Sequence, residues 1–225
     1  MNSSPHPDWK IGDPILAPFS EMLAINPAQI SSTDIYKLLI GAVVPRPIAF
    51  VSTMNESGVG NLAPFSFFNG VSSNPPALMI SIARQKNGSK KDTLLNIEST
   101  RQFVVNTVSE WLAEPMNQCS AAYPYGVDEM TKVGLTPIPS VCIKPMRVKE
   151  AAIQMECELY GSLEVGDGSE GSSTIVVGKI LMIHVAKEIY RDGKILIEPL
   201  KPLARLAGAS YGITGEIFDI PRPHI

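Results

Sequence analysis

The clearest regular pattern in the chain is a strict alternation of apolar and polar side chains over residues 153–159, Ile-Gln-Met-Glu-Cys-Glu-Leu. Successive side chains of a β-strand point to opposite faces, so this alternation predicts an antiparallel strand that is half exposed to solvent. A glycine- and serine-rich turn at residues 166–172 follows it, and then a long apolar strand at residues 174–188. The pattern therefore indicates a long β-hairpin.

Shorter extended runs between turn residues predict further strands. We expect these strands at residues 48–54, 60–68, 77–83, 103–108 and 194–197, with turns at residues 55–58 and at Asp192-Gly193. Helices are expected at residues 31–40, where Gly41 would end the helix, and at residues 90–99 and 110–122. Hairpin-connected strands with few helices predict a mainly β fold, a Greek-key antiparallel barrel with peripheral helices.

The chain divides into three parts by its pattern. Residues 1–30 carry many prolines and no sustained period, which predicts an irregular N-terminal arm over the body or over a partner. Residues 31–212 contain the predicted strands and helices, and residues 213–225 form a C-terminal tail. A barrel of this length is commonly one unit, so we expect a single domain between the arm and the tail.

Composition excludes several classes of protein. Apolar residues make up 44% of the 225 residues and charged residues 18%, which supplies a core and argues against disorder. The net charge of −3 argues against broad nucleic-acid binding, which needs a basic surface. No signal peptide is expected, and Lys179 and His184 interrupt the longest apolar stretch, so no membrane association is expected. Three widely spaced cysteines fit reduced thiols rather than a zinc site, which indicates a cytoplasmic protein.

The densest polar segment, residues 84–93, indicates an anion site. It contains, in order, Arg84, Lys90, Lys91, Asp92 and Thr93. The spacing of Ser89 and Asp92 is that of a capping box, which predicts a helix N-terminus near Lys90. Backbone N–H groups and the helix dipole at such a terminus, together with the lysines, are suited to hold a phosphate. The alternative is a solvated basic loop beside an ordinary helix cap.

A second candidate segment, residues 58–66, is suited to a flat ligand. Small residues around Asn61 and Ala63 would let a ring system approach the backbone closely. Pro64 has no N–H group, so the strand is expected to be irregular there or to lie at a sheet edge. The alternative is a hairpin arm whose glycines serve only the turn.

Four motifs in order resemble one protein family. They are Val44-Pro45-Arg46-Pro47-Ile48-Ala49-Phe50-Val51-Ser52-Thr53, then Gly60-Asn61-Leu62-Ala63-Pro64-Phe65-Ser66, then Asn74-Pro75-Pro76, and finally Lys91-Asp92-Thr93-Leu94-Leu95-Asn96. Their order and spacing are similar to those of the flavin reductase-like, FMN-binding split-barrel family, in the branch that includes the small component of nitrilotriacetate monooxygenase. Residues 202–211 resemble the C-terminal signature of that branch, with Ala207 where glycine is expected. The resemblance covers roughly residues 33–212.

The resemblance implies a split-barrel homodimer with FMN at the subunit interface. The FMN phosphate would be held by Ser52, Thr53 and residues 84–93, with Arg46 as a further candidate on the phosphate side. The ring system would lie along Asn61, Leu62, Ala63, Pro64 and Ser66. Arg205 and Tyr211 would approach the flavin or the dimer seam.

Other motifs are better explained by packing. Residues 208–212 match G-x-S-x-G, and Asp219 and His224 follow in hydrolase order, but Pro199 and Pro202 do not suit the buried strand of a nucleophile elbow. His184 is expected to be a satisfied core or interface histidine, and the cysteines are expected to be buried. Trp111 and Met116, at near-helical spacing, are expected to be packing residues, with coverage of a flavin from the partner subunit as the alternative.

The function that these features favour is that of an NAD(P)H:FMN oxidoreductase that supplies reduced flavin to a monooxygenase or another acceptor. Hydride transfer to flavin N5 belongs to the cofactor, so no catalytic acid or base is required and none is assigned. Two alternatives stay open. One is a flavin carrier, sensor or electron-transfer protein, because no G-x-G-x-x-G fingerprint supports nicotinamide binding. The other is an oxidase similar to the pyridoxamine-phosphate oxidases.

Overall fold

The computed structural model of the protein describes residues 4–223. Its strands are β1 (Arg46–Pro47), β2 (Ala49–Met54), β3 (Gly60–Phe65), β4 (Phe68–Ser73), β5 (Pro76–Ala83), β6 (Gln102–Thr107), β7 (Pro137–Ile138), β8 (Arg147–Val148), β9 (Ile153–Val165), β10 (Ser173–Val185), β11 (Tyr190–Arg191), β12 (Lys194–Ile195), β13 (Leu203–Arg205) and β14 (Tyr211–Ile213). Its α-helices are α1 (Ser32–Ala42), α2 (Asp92–Thr100), α3 (Ala113–Gln118), α4 (Glu129–Lys132) and α5 (Ile197–Leu200). Single 3₁₀ turns lie at Pro27–Gln29, Glu110–Leu112 and Lys187–Ile189. In residues 4–223, no helix has the length and apolar character that a bilayer crossing requires.

Seven strands form one antiparallel sheet in the order β3-β2-β6-β9-β10-β5-β4. The sheet curls so that β3, at one end, approaches β5, near the other end. The amide of Ser81 on β5 donates to the carbonyl of Phe67, 2.8 Å away, which extends the pairing of β4 with β5 into the β3–β4 connection. The mainly β, antiparallel fold prediction is therefore confirmed.

Alternation along the strands separates two apolar clusters. One face of the sheet points into the barrel, where Val51, Ile80, Phe103 and Val105 pack, and α2 closes that interior with Leu94 and Ile97. The opposite face is covered by α3, α4 and the segments around them. On β2, for example, Val51 belongs to the interior cluster and its neighbour Phe50 belongs to the outer cluster.

Strand β9 is not half exposed, which corrects the interpretation of its alternation. Its polar residues Gln154 and Glu156 are buried, because the segment 139–151 lies over that face of the sheet. Ser52 and Asn106 lie on the same outer face of β2 and β6 and bond the same segment. We call Ser52, Asn106, Gln154 and Glu156 the polar row. Each member bonds main-chain groups of the covering segment: Met146 O to Ser52, Val148 N to Asn106, Val148 O and Ala151 O to Gln154, and the amides of Val141 and Cys142 to Glu156.

Glu156 is the charged member of the polar row. Its carboxylate accepts from the amides of Val141 and Cys142, at 2.8 and 2.6 Å, and its Oε1 lies 2.7 Å from His184 Nε2. The Nε of Arg147 lies 3.8 Å from the same oxygen. Desolvation raises the pKa of Glu156, but the two amides and the imidazole outweigh it and hold the pKa below its ordinary value.

Several predicted boundaries were wrong for local reasons. Gly41 lies inside α1, which ends at Ala42, and the amide of the C-cap residue Val43 donates to Leu39 O. The predicted strand 60–68 is two strands, because the chain turns at Ser66 and Phe67. The predicted helix 110–122 is a 3₁₀ turn followed by α3, which carries Pro115 in its first turn, where proline is tolerated. The last predicted strand ends at Ile195, where α5 follows.

Gly178 on β10 is expected to tolerate no side chain. A Cβ there would lie 2.3 Å from Cζ of Phe103 and 3.2 Å from Cβ of Cys157, inside the barrel. We expect Gly178→Ala to lower the free energy of unfolding by about 1–3 kcal/mol through overpacking, measured by urea denaturation. Gly161→Ala on β9 is the control, since its Cβ would meet nothing within 4 Å, and an equal loss in both variants would contradict the packing explanation.

Glu156 is expected to make the free energy of unfolding depend on pH. Ionised Glu156 stabilises the fold above its ordinary pKa of 4.5, and this contribution is lost as the pH falls through its lower folded-state pKa. We expect Glu156→Gln to cost about 1–3 kcal/mol at pH 7, because the hydrogen bonds to a charged acceptor are weakened. Denaturation of both proteins from pH 7 to pH 3.5 should show this difference shrinking below pH 4.5. A difference that is constant over that range would refute the assignment.

Candidate functional site

The start of α2 lies against the ends of β2 and β3, and polar side chains join them. Nδ2 of Asn61 donates to Oγ1 of Thr53 and to Oγ1 of Thr93, at 3.3 and 3.0 Å. Thr53 and Asn61 are cross-strand partners, which places their side chains together on one face of the sheet. Three residues predicted from separate motifs, Thr53, Asn61 and Thr93, are therefore brought into one buried cluster.

The same cluster contains a residue that the sequence interpretation missed. Asn96 lies three residues after Thr93, on the same face of α2, and its Nδ2 donates to Oγ1 of Thr53 at 3.0 Å. Its Oδ1 accepts from the hydroxyl of Tyr125 at 3.3 Å. Asn96 closes the Lys91–Asn96 motif, so helical spacing from Thr93 was the signal that could have found it. Nothing in the sequence pattern pointed to Tyr125.

The helix start differs from the predicted capping box. The N-cap of α2 is Lys91, whose side chain makes no capping bond. Ser89 does not cap the helix, because its hydroxyl donates to Oδ1 of Asn87 at 2.7 Å. The N-cap residue therefore supplies no side-chain acceptor to the first amides of α2, and amides at such a helix start can attract an anion together with the helix dipole.

Among the basic residues of this segment, Lys86 and Lys91 form no ion pair within residues 4–223, and of the two only Lys91 adjoins the helix start. Lys90 is paired with Glu98 at 2.7 Å, and Arg84 is paired with Glu164 at 2.6 Å. Within residues 4–223, Lys91 forms no ion pair, and its ammonium lies 5.6 Å from the centre of the Phe65 ring. The Lys91 residue is exposed, but enough protein surrounds its ammonium for desolvation to lower its pKa. An anion bound beside Lys91 would oppose that shift.

Arg84 retains one unsatisfied donor. Its Nε is buried and has no hydrogen-bond partner among the described residues, although its Nη2 bonds Glu164. Such donors are rare in folded proteins and are commonly satisfied by a ligand or by water. Arg84 and Lys90 thus lie in the predicted loop, with most of their charge already neutralised.

Acidic residues flank the cluster on its other side. Oε2 of Glu129, on α4, accepts from the amide of Leu62 on β3 at 2.8 Å. Desolvation raises the pKa of Glu129, and the neighbouring charges of Asp92 and Asp128 raise it further, while the Leu62 amide opposes them. Desolvation also raises the pKa of Asp92. The amide of Leu62 therefore bonds Glu129, and its side chain packs in the outer apolar cluster. Leu62 and Glu129 are both buried.

The segment predicted to receive a ring lies along an edge strand. Strand β3 is the last strand of the seven-stranded sheet, as the proline in it predicted. The Leu62 amide points away from β2, so Pro64, two residues further, also faces outward and its missing N–H group costs no ladder bond. Ala63, Pro64 and Ser66 are each partly exposed. These partly exposed residues lie next to Phe65, whose ring centre is 5.6 Å from the Lys91 ammonium.

Ser52 is not brought to the cluster. Adjacent residues of a strand face opposite sides of a sheet, so Ser52 and Thr53 cannot line one pocket. Thr53 faces α2, whereas Ser52 belongs to the polar row, where its Oγ donates to Met146 O at 2.6 Å.

Arg46 is buried, and its guanidinium bonds three separate parts of the chain. Its Nη1 donates to the carbonyls of Ile40 and Val43 at 2.7 and 2.6 Å, at the end of α1. Its Nη2 donates to Leu206 O at 2.8 Å, and its Nε donates to Ser66 Oγ at 3.3 Å. Desolvation lowers the pKa of Arg46. Its bonds join α1, the β3–β4 connection and the C-terminal segment, and they leave little donor capacity for a phosphate.

The residues for which packing roles were predicted differ in their burial. His184 bonds Glu156, as a satisfied histidine should, and Met116 is buried in the outer cluster. Trp111 is partly exposed and its Nε1 donates to Glu150 O at 3.0 Å. Cys119 and Cys157 are buried, and desolvation raises the pKa of Cys119 to about 12, but Cys142 is exposed, which corrects the prediction that all three are buried.

The C-terminal segment does not form a nucleophile elbow. Ser210 closes a turn that precedes β14, in a small antiparallel sheet with β1 and β13. His224 lies outside the described residues, as do residues 1–3 of the predicted arm and residue 225 of the predicted tail. The guanidinium of Arg205 stacks 4.4 Å from the centre of the Tyr211 ring, and the Tyr211 hydroxyl donates to Asn117.

The described residues thus define an antiparallel β-barrel protein in which an uncapped helix start adjoins an unpaired lysine. The chain belongs to the flavin reductase-like family, since residues 41–203 match its domain model, described as a flavin reductase like domain.

Solved structures agree with this assignment. Nitrilotriacetate monooxygenase component B from Bacillus cereus is 39% identical, with a TM-score of 0.86 over 90% of this chain and 100% of that chain. The 2-nitrobenzoate 2-nitroreductase NbaA of Pseudomonas fluorescens is 31% identical, with a TM-score of 0.80 over 89% of this chain and 96% of that chain. A Shewanella frigidimarina protein described as having a split barrel domain is 20% identical, with a TM-score of 0.75 over 87% of this chain and 96% of that chain, which is a likeness of fold. The fold is thus the split barrel that the resemblance implied.

The residues present fit a flavin phosphate. The family implies flavin binding. We call Thr53, Asn61, Lys91, Thr93 and the first amides of α2 the phosphate seat. It offers one unpaired ammonium and uncapped amides, which are the groups that a phosphate prefers in proteins.

Proposed function

We propose that the protein is an NAD(P)H:FMN oxidoreductase that binds FMN with its phosphate in the phosphate seat and delivers reduced flavin to a monooxygenase or another acceptor. The observation that carries the proposal is Lys91, which has no acidic partner in residues 4–223 and stands beside an uncapped helix start. Two buried threonine hydroxyls adjoin that start and are bonded to Asn61. A phosphate would satisfy these groups together.

Each part of the site has a defined task in this proposal. Lys91 supplies charge, Thr93 and Thr53 supply hydroxyl donors, and the α2 amides orient the phosphate. The partly exposed residues Ala63, Pro64 and Ser66 would support the ring system, because small side chains there permit close approach. Bound FMN would accept a hydride from NAD(P)H and pass its electrons on. The chain itself binds and orients, so no acid or base is assigned.

The assembly proposed is a homodimer. On α1, Tyr36, Leu38 and Leu39 are 56%, 47% and 47% exposed, and Phe67 and Val71 expose further apolar surface near the β3–β4 connection. A second copy packed on this side would cover these residues. The solved relative named as component B of a monooxygenase supports a monooxygenase as the second partner.

The cytoplasm is the compartment that fits this function. All three cysteines are free thiols, as expected in a reducing compartment, and NAD(P)H is supplied there.

Activity is tested by following nicotinamide absorbance with purified protein, NADH or NADPH, and excess FMN or FAD. We expect oxidation well above the blank that contains flavin alone, and faster turnover with FMN than with FAD. Absence of oxidation with retained FMN binding would favour a carrier or electron-transfer protein. FMN reduction by an amine substrate, followed by reoxidation by oxygen, would instead favour an oxidase.

The phosphate seat is tested by Lys91→Ala and Thr93→Ala. A charge-assisted hydrogen bond contributes about 1.5–3 kcal/mol, so we expect each variant to weaken FMN binding about 10- to 100-fold. Riboflavin, which lacks the phosphate, should lose less than about threefold. The measurement is titration of flavin fluorescence. Lys86→Ala is the matched control, because Lys86 is exposed in the same loop. Equal losses for both ligands would show that the phosphate binds elsewhere.

A further inference from the structure

The phosphate seat contains two hydroxyl protons that no described group accepts. A threonine hydroxyl has one proton to donate and two lone pairs. Oγ1 of Thr53 accepts from both Asn61 and Asn96, so both of its lone pairs are used. Oγ1 of Thr93 accepts from Asn61. Within residues 4–223, neither hydroxyl donates to a protein acceptor, although both residues are only 1% exposed.

Asn96 determines whether the Thr53 hydroxyl proton is available to donate to another group. With its Nδ2 toward Thr53, Asn96 donates, and the Thr53 proton must point to another acceptor. If Oδ1 of Asn96 stood in that place, it would accept the hydrogen bond from the Thr53 hydroxyl. The hydroxyl of Tyr125 donates to Oδ1 from the opposite side and thereby supports the first orientation.

We propose that Asn96 is a positioning residue that makes the Thr53 hydroxyl a donor toward the phosphate of the flavin. The inference rests on the proposed function, because it takes the bound phosphate as the missing acceptor. Asn61 does the same for both threonines, since its single Nδ2 bridges them. Two amide side chains thus set two hydroxyls as donors, an arrangement that favours an anionic oxygen over a neutral ligand.

A purely structural role for Asn96 predicts a different result. If Asn96 only fastened α2 to β2, its loss would disturb the whole site and weaken every flavin alike. If it acts through the Thr53 proton, its loss should weaken flavins that carry a phosphate and spare riboflavin. The ratio of the two affinities therefore separates the roles.

The test uses the full chain with Asn96→Asp, alone and combined with Thr53→Val. Asp has the shape of Asn, but its carboxylate accepts the Thr53 proton. We expect the dissociation constant of FMN to rise about tenfold or more and that of riboflavin to change less than about threefold. The introduced carboxylate also repels a phosphate directly, and Thr53→Val removes only the part of the loss that passes through the hydroxyl, so we expect the loss of FMN binding to fall from about tenfold or more to about threefold. Equal losses for both ligands, or an undiminished effect with Thr53→Val, would overturn the proposal.

A milder variant covers the case in which Asn96→Asp does not fold. Tyr125→Phe removes only the hydroxyl that supports the Asn96 orientation, on a side chain that is 58% exposed. We expect FMN binding to weaken about threefold with riboflavin unchanged, and no FMN-specific loss would overturn the proposal. Tyr160→Phe, at a similarly exposed tyrosine of β9, is the control. FMN binding by the unaltered protein tests the proposed function separately: if the protein binds no FMN, the proposed function fails regardless of the variants.

Discussion

The structure depends on the requirement that polar groups buried in a protein find hydrogen-bond partners. The outer face of the central sheet presents the polar row where an ordinary barrel presents either solvent or apolar packing. Its side chains bond the main chain of segment 139–151, and that segment in turn completes the cover over the sheet. The inner face is apolar and is closed by α2. One sheet therefore positions the covering segment by hydrogen bonds and the site helix by apolar packing.

The site depends on the same requirement, met only in part. Asn61 and Asn96 satisfy their amide donors on threonine hydroxyls, and Glu129 satisfies the Leu62 amide. The start of α2, the Lys91 ammonium and the Arg84 Nε stay without a protein acceptor in the described part of the chain. Unsatisfied donors of this kind are the groups that an anion would bind, which is the basis of the proposed phosphate seat. The order of the sheet explains why they meet, since Thr53 and Asn61 are neighbours across β2 and β3.

Much of the fold could be predicted from the sequence because strands and turns have local signals. The long hairpin, the edge position of Pro64 and the start of α2 within two residues of Lys90 all follow from pattern and turn chemistry. The burial of Glu156 could not be predicted, because alternation shows which residues share a face but not what covers it. The capping box failed because Asn87, two residues away, competes for Ser89. Grouping Ser52 with Thr53 ignored the two-residue period of the strand. Tyr125 reaches Asn96 from a distant loop, and no local pattern reports such a contact.

The placement of Arg46 changes what its motif can be used for. Its guanidinium holds three separated pieces of chain together through carbonyl oxygens and one serine, and a lysine could not span these directions with a single ammonium. In this chain the arginine of the Pro-Arg-Pro tripeptide therefore serves the architecture. Its role is to assemble the scaffold, and the residues proposed to select the ligand are separate from it: the lysine and the threonine at the start of the site helix.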